Sequence, residues 1–238
     1  MKYSGEENKI GGVVGALRTV LLFVITVSAY ALGIFPLLFL CYEILKWLDF
    51  SNPFYLLLLS FFIVTGYIIL LFSLILSTAF FINVFNLKYT EGTYRKTLDD
   101  KMAFKYTAYF ALYYPTYKLI NLFVLPQIKS FYLSLIGCRI GKNVFLAGEE
   151  WLDPCLVEIG DNTMIGGRAI ILGHIAEENL ILCRTKIGKN CLIGGETFIM
   201  PGVIIEDNVV VGAKTMVPKG MILKRGKTYV GVPARPIN

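Results

Sequence analysis

The pattern of apolar and polar positions changes character twice along the chain. Residues 19–42 (TVLLFVITVSAYALGIFPLLFLCY) carry no charge, and neither do residues 54–82 (FYLLLLSFFIVTGYIILLFSLILSTAFFI). At about 1.5 Å of rise per residue, each run is long enough to cross roughly 30 Å of hydrocarbon as a helix. Pro36 is tolerated in such a helix as a kink. The first run is too long for the apolar core of a cleavable leader, and a second run follows closely. The pattern therefore predicts two transmembrane helices within a membrane region covering residues 1–100. Residues 101–136 mix Phe, Tyr and Leu with spaced lysines, and Pro115 and Pro126 break them into pieces. This predicts short helices lying in the membrane interface, with tyrosines at headgroup depth and lysines snorkelling to water. A helical collar packed on the soluble half is the other reading, and the two are compatible.

From residue 159 the sequence falls into sixes: IGDNTM, IGGRAI, ILGHIA, then, after four extra residues (Glu177–Leu180), ILCRTK, IGKNCL, IGGETF, IMPGVI, IEDNVV, VGAKTM and VPKGMI. Every unit begins with Ile or Val, from Ile159, Ile165 and Ile171 through Ile181 and Ile187 to Val211 and Val217. The fifth place is mostly small or β-branched, as at Thr163, Ala169, Thr185, Thr197, Val203, Val209 and Thr215. A period of six is neither helical nor strictly alternating. It fits a coil with three short flat sides, in which the aliphatic residue plugs the interior and each turn buries what its neighbour exposes. Glycine and asparagine suit the corners, where positive φ is cheap for them. IGKNVF at 140–145 starts the solenoid, and LAGEEWLDPCLVE at 146–158 reads as a distorted coil whose acidic residues point outward. The segment YVGVPARPI at 229–237 has left the rhythm, so the coil is expected over 137–223 and a closing segment over 224–238.

Charge adds orientation. Lys88, Arg95, Lys96, Lys101 and Lys105 follow the second apolar run, and Lys2, Lys9 and Arg18 precede the first; the link between the runs has one basic residue, Lys46. The positive-inside rule then puts both termini and the solenoid in the cytoplasm of a multi-pass cell-membrane protein. The net charge of +6 suits an anionic leaflet, cofactor or substrate. No zinc-finger spacing, helix-turn-helix signal or dense basic block argues for nucleic acid. The five cysteines are irregularly spaced and odd in number, which reads as free thiols, and no pair has metal-site spacing.

The sixes resemble the left-handed parallel β-helix of the hexapeptide-repeat acyltransferases, and Gly231, Pro233, Ala234, Arg235 and Ile237 match the segment that closes that domain. The fold expected is an α+β membrane protein: transmembrane and interfacial helices followed by a left-handed β-helix. The run LVEIGDNTMIGGRAIILGH at 156–174, preceded by membrane helices, is similar to the membrane-bound terminal domains of certain poly-amino-acid synthetases. The resemblance implies a homotrimer with active sites between solenoids, acetyl-CoA or another acyl thioester as co-substrate, and a histidine as general base.

His174 is the one histidine in the chain, at the outward fourth place of ILGHIA. An imidazole there suits removal of a proton from an attacking hydroxyl or amine, with Glu177 or Glu178 expected to orient it. The zinc-dependent branch of the fold needs three histidines, so no metal site is expected. The Gly194–Gly195 corner is a candidate oxyanion donor. Gly212 and Lys214 are candidates to line a pantetheine arm, and Lys219, Arg225 and Arg235, with Lys224, to meet its phosphates. Cys183 and Cys191 stand at repeat positions and read as structural. The function expected is acyl transfer to a hydroxyl or amine of a membrane-associated or lipid-linked acceptor, at a surface in contact with lipid. The alternative is a trimeric membrane scaffold without catalysis.

Overall fold

A computed structural model describes residues 5–47, 52–122, 126–147 and 150–237. Two long helices come first, α1 (Gly5–Leu45) and α2 (Pro53–Val84). Both are long and apolar enough to cross a membrane. Asn52 caps α2 by accepting from the Phe54 N–H, and Pro53 takes a first-turn position where no hydrogen bond is lost. The two helices are closely packed at small residues. A Cβ on Gly33 would come within 2.6 Å of the Leu74 side chain, and the Ser77 hydroxyl donates to the Ala29 carbonyl at 2.7 Å. The outer faces are apolar and exposed, as at Phe23, Val24, Phe61 and Ile63.

Helix α3 (Lys101–Ile120) is capped by the Asp100 carboxylate, which accepts from the Met102 and Ala103 N–H groups. It is continuous through Pro115, where the sequence suggested a break. A proline inside a helix strands the carbonyl four residues earlier. Here the Tyr30 hydroxyl of α1 reaches the freed Ala111 carbonyl at 3.1 Å and its neighbour Leu112 at 2.8 Å, so a partner helix heals the gap. Arg18 donates to Leu98 and Asp99 beside the start of α3, and Tyr30 reaches residues 111–112. Twelve residues of α1 thus match about thirteen of α3, a shared path of roughly 18 Å. Helix α3 stands alongside α1 rather than across it. Tyr109, Tyr113 and Tyr117 of α3, with Tyr132 of α4 (Pro126–Leu135), are fully buried. They form the joint between the helices and the coil.

The coil is a three-faced prism of parallel strands. Face one stacks Arg139–Ile140, Val157–Ile159, Thr185–Ile187, Ile204–Ile205 and Ile222–Leu223. Face two stacks Phe145–Leu146, Met164–Ile165, Leu192–Ile193, Val210–Val211 and Thr228–Val230. Face three stacks Glu150–Leu152, Ile170–Leu172, Phe198–Ile199 and Met216–Val217. The plugs expected at Ile159, Ile165, Ile171, Ile187, Ile193, Ile199, Ile205, Val211 and Val217 are all buried, and so are the seven small fifth-place residues. Asn143, Asn162, Asn190 and Asn208 take positive φ at one edge. Their amides bond from coil to coil, Asn143 to Asn162 at 3.1 Å and Asn162 to Asn190 at 3.3 Å.

Two expectations change. The coil runs past residue 223, because Tyr229 pairs with Val211 and fills an interior place; the chain then folds back as an antiparallel strand, Arg235–Pro236. The insertion is also longer than four residues. Ile181 is not a plug. It lies in a hairpin, opposite Ile175, formed by His174–Ala176 and Leu180–Leu182. Gly173–Leu182 therefore leaves the coil as one ten-residue excursion, and Val157 pairs with Thr185 while the next coil pairs Lys186 with Ile204. A third strand, Gly92–Tyr94 from the segment after α2, completes this small antiparallel sheet. Leu180 and Leu182 are buried beneath it, so the apolar residues that mimic a repeat unit here serve the hairpin.

Candidate active site

The site begins with strand register. Leu152 pairs with Leu172 on face three, so the residues that follow, Asp153 and Gly173, meet at one edge of the prism in successive coils. Asp153 has left-handed backbone (φ 74°, ψ 55°) ahead of a 3-10 turn at Pro154–Leu156. Aspartate tolerates this geometry better than most residues. Gly173 is required by contact: a Cβ there would stand 2.7 Å from the Asp153 Cβ and 3.0 Å from the Leu156 Cβ.

Asp153 turns inward, against the outward direction expected of that coil's acidic residues, and its side chain is 1% exposed. Its Oδ2 lies 2.6 Å from His174 Nδ1 and accepts from the Gly173 N–H at 3.1 Å. Its Oδ1 accepts from the Tyr89 hydroxyl. A carboxylate only accepts, so His174 Nδ1 carries a proton, and in the neutral ring Nε2 then keeps its lone pair. That lone pair faces the Tyr106 hydroxyl of α3, 3.0 Å away, which donates to it. Burial pushes the Tyr89 hydroxyl well above its ordinary range, with the Asp153 charge adding to the effect. Burial and then the Asp153 charge do the same to Tyr106. Both phenols therefore stay protonated and act as donors.

Glu177 and Glu178 do not orient His174. The Glu177 carboxylate pairs with Lys219 at 3.2 Å, its carbonyl accepts from Lys96, and Glu178 is exposed at the hairpin tip. The hairpin turns them away from the imidazole, and the buried corner supplies the carboxylate instead. Of the expected thioester-binding residues, Lys219 alone shares the His174 edge. The Gly194 N–H is spent on the Val211 carbonyl at 2.7 Å, so it is not a free oxyanion donor. Gly212 likewise donates to Tyr229 at 2.8 Å. Gly194, Gly212 and Lys214 occupy the edge after face two, Arg225 the edge after face one, and Arg235 the returning strand. One chain does not bring these residues together around His174. Cys191 fills its small interior place, where burial raises its thiol and keeps it a poor nucleophile.

Asp153, Tyr89 and Tyr106 were not among the residues singled out from sequence. The break in the sixes around Pro154 was the one local signal for Asp153. The two tyrosines come from the segment after α2 and from α3, and nothing local marks them.

Fold and site together define a hexapeptide-type β-helix with a histidine–carboxylate pair at an interrupted edge, closed over by tyrosines from a helical region. Residues 184–219 match the bacterial transferase hexapeptide (six repeats), and residues 156–182 match the hexapeptide repeat of succinyl-transferase. Both matches fall on the coil. No curated protein matches the sequence. Among solved structures, a maltose O-acetyltransferase from Clostridium difficile 630 is similar at 24% identity and a TM-score of 0.50, covering 62% of this chain and 92% of that one. A hexapeptide-repeat-containing acetyltransferase from Vibrio cholerae O1 biovar eltor, complexed with acetyl coenzyme A, is 20% identical with a TM-score of 0.45, covering 51% and 81%. The first of these supports the β-helix fold.

Proposed function

We propose that the chain is a membrane-bound acyltransferase. It moves an acyl group, acetyl by default, from a coenzyme A or carrier thioester to a hydroxyl or amine of a membrane-associated acceptor. The observation that carries this reading is the Asp153–His174 pair, with Nε2 aimed at a hydroxyl 3.0 Å away. An acceptor hydroxyl in that place gives its proton to Nε2 as its oxygen attacks the thioester carbonyl. Asp153 stabilises the imidazolium, which then returns the proton to the departing sulfur. The similarity of the coil to a maltose O-acetyltransferase supports the reaction class.

The exposed apolar faces of α1 and α2 support insertion in a membrane, with the basic segment after α2 and the coil on the cytoplasmic side. Assembly as a homotrimer is supported by face two, where Phe145, Met164, Leu192 and Val210 project outward in register as an exposed apolar column. Neighbouring solenoids packed there bring together edges that one chain keeps apart. The phosphate-binding roles for Lys219, Arg225 and Arg235, and the pantetheine track at Gly194, Gly212 and Lys214, belong to that assembled cleft.

The test is turnover of acetyl-CoA by the full chain in detergent with a panel of hydroxyl and amine acceptors. Transfer by the parent, absent in His174→Ala of equal melting temperature, supports the reading. Equal turnover by both forms overturns it.

A further inference from the structure

We propose that Tyr106 selects the acceptor over water. In the resting protein its hydroxyl fills the position, 3.0 Å from His174 Nε2, that an attacking hydroxyl must take, and the base is released only to a group that displaces it. The proposal rests on the acyl-transfer reading given above.

An imidazole nitrogen has one in-plane lone pair. With Nδ1 committed to Asp153, Nε2 is the one site of proton uptake, and Tyr106 occupies it. The Tyr106 ring also stands against the imidazole, 5.0 Å between centroids at 61°, and shields it from bulk water. Among the described residues, His174 is the one hydrogen-bond partner of this hydroxyl. Displacing it therefore breaks a single bond that an acceptor hydroxyl remakes at the same atom, a near-balanced exchange. Tyr106 is half-buried where Tyr109 and Tyr113 on the same helix are fully buried, so part of its side chain stays open to solvent. The raised phenol stays neutral, which keeps it a donor and a poor acyl acceptor. The other polar groups around the imidazole are otherwise engaged: Tyr89 donates to Asp153, and Glu177 of the hairpin is held by Lys219 and Lys96.

The need for such a cap follows from the chemistry. Water beside a bare Nε2 gives up a proton to the ring as its oxygen attacks the thioester carbonyl. The carbon–sulfur bond breaks, the imidazolium protonates the sulfur, and the products are free acid and thiol. A base left open to water would spend the donor without an acceptor. A small molecule such as water gains nothing else on displacing the tyrosine, whereas an acceptor held by further contacts does.

The experiment uses Tyr106→Phe in the full chain in detergent, with acetyl-CoA as probe and no acceptor, reading released thiol. Because His174 is the sole histidine, imidazole 15N resonances report on it alone. The expected result is hydrolysis at least about tenfold faster than in the parent, abolished in Tyr106→Phe/His174→Ala. The Nε2 resonance should move toward the value of an unbonded lone pair while Nδ1 holds. An unmoved Nε2 resonance overturns the proposal. So does hydrolysis no faster than the parent's in a variant that still transfers, and a variant as inactive as His174→Ala makes Tyr106 a proton relay instead. A parent that turns over acetyl-CoA with none of the acceptors, alongside an equally silent variant whose Nε2 resonance has moved, overturns the acyl-transfer reading itself.

Discussion

Asp153 takes hydrogen bonds from three donors, the Tyr89 hydroxyl, the Gly173 N–H and His174 Nδ1, and so ties together the segment after α2, the hairpin and the first coil. Substitution there acts on both chemistry and folding. In Asp153→Asn an amide N–H₂ must face at least one of those donors in a nearly sealed site. Turnover is expected to fall by about 10²–10⁴-fold, with a loss of about 1–3 kcal/mol in stability. His174→Ala should cost a similar factor in rate while the melting temperature changes little, since its side chain is partly exposed and Asp153 keeps two donors. Rates and melting curves of the two variants, measured side by side, separate the roles. A fully active Asp153→Asn would remove Asp153 from the mechanism. At Gly173 the same crowding predicts that Gly173→Ala pushes Asp153 away by its Cβ, 2.7 Å distant, and loses activity with a fall in stability of about 1–3 kcal/mol.

At the scale of elements, the hairpin Gly173–Leu182 is the part of the coil that carries the site, and the segment after α2 holds it in place. Thr93 pairs with Ile181, and the Glu91 carboxylate takes the Arg184 guanidinium at 3.1 Å. Removing Glu177–Leu180 looks from the sequence like a return to uninterrupted sixes. In the structure it deletes the buried Leu180 and strips the partner strand from Gly92–Tyr94. The expected outcome is a less stable protein without activity, read from melting and turnover together. A deletion variant as stable as the parent would show that the hairpin is dispensable to the fold. Helix α3 carries a similar lesson, because its Pro115 is accommodated by the Tyr30 hydroxyl of another helix.

For the whole molecule, the joint between helices and coil is built of phenols, and this fixes its response to alkali. Burial raises Tyr89 and Tyr109 well above their ordinary value of 10.0. The folded protein then holds protons that the unfolded chain releases, so their contribution is complete below about pH 10 and is lost progressively as pH rises above it. Melting temperature should fall steeply above about pH 10, with tyrosinate absorbance rising at the unfolding transition and not before it. Tyr89→Phe should soften that slope. Assembly is the second prediction at this scale. Detergent-corrected mass should give a trimer, and charged residues placed on the face-two column, as in Leu192→Glu, should dissociate it. A stable, active monomer would rule out a cleft shared between subunits.

The residue pattern alone makes legible the two apolar helices, the period of six, the interior column and its small neighbours, and the placing of His174 outside that column. Each depends on local spacing, which a repeat states many times over. It also pointed to the interruption beside His174, though at the wrong length, because Ile181 and Leu182 serve a hairpin as well as they would a coil. The rest depends on contacts between elements. Which carboxylate holds the histidine follows from register between coils that are not multiples of eighteen apart, with Leu152 opposite Leu172. Which hydroxyl covers Nε2 follows from how α3 stands against the coil, 68 residues away in the chain. A periodic pattern fixes which way a side chain faces within its own repeat, but a contact between two elements depends on where packing sets one against the other.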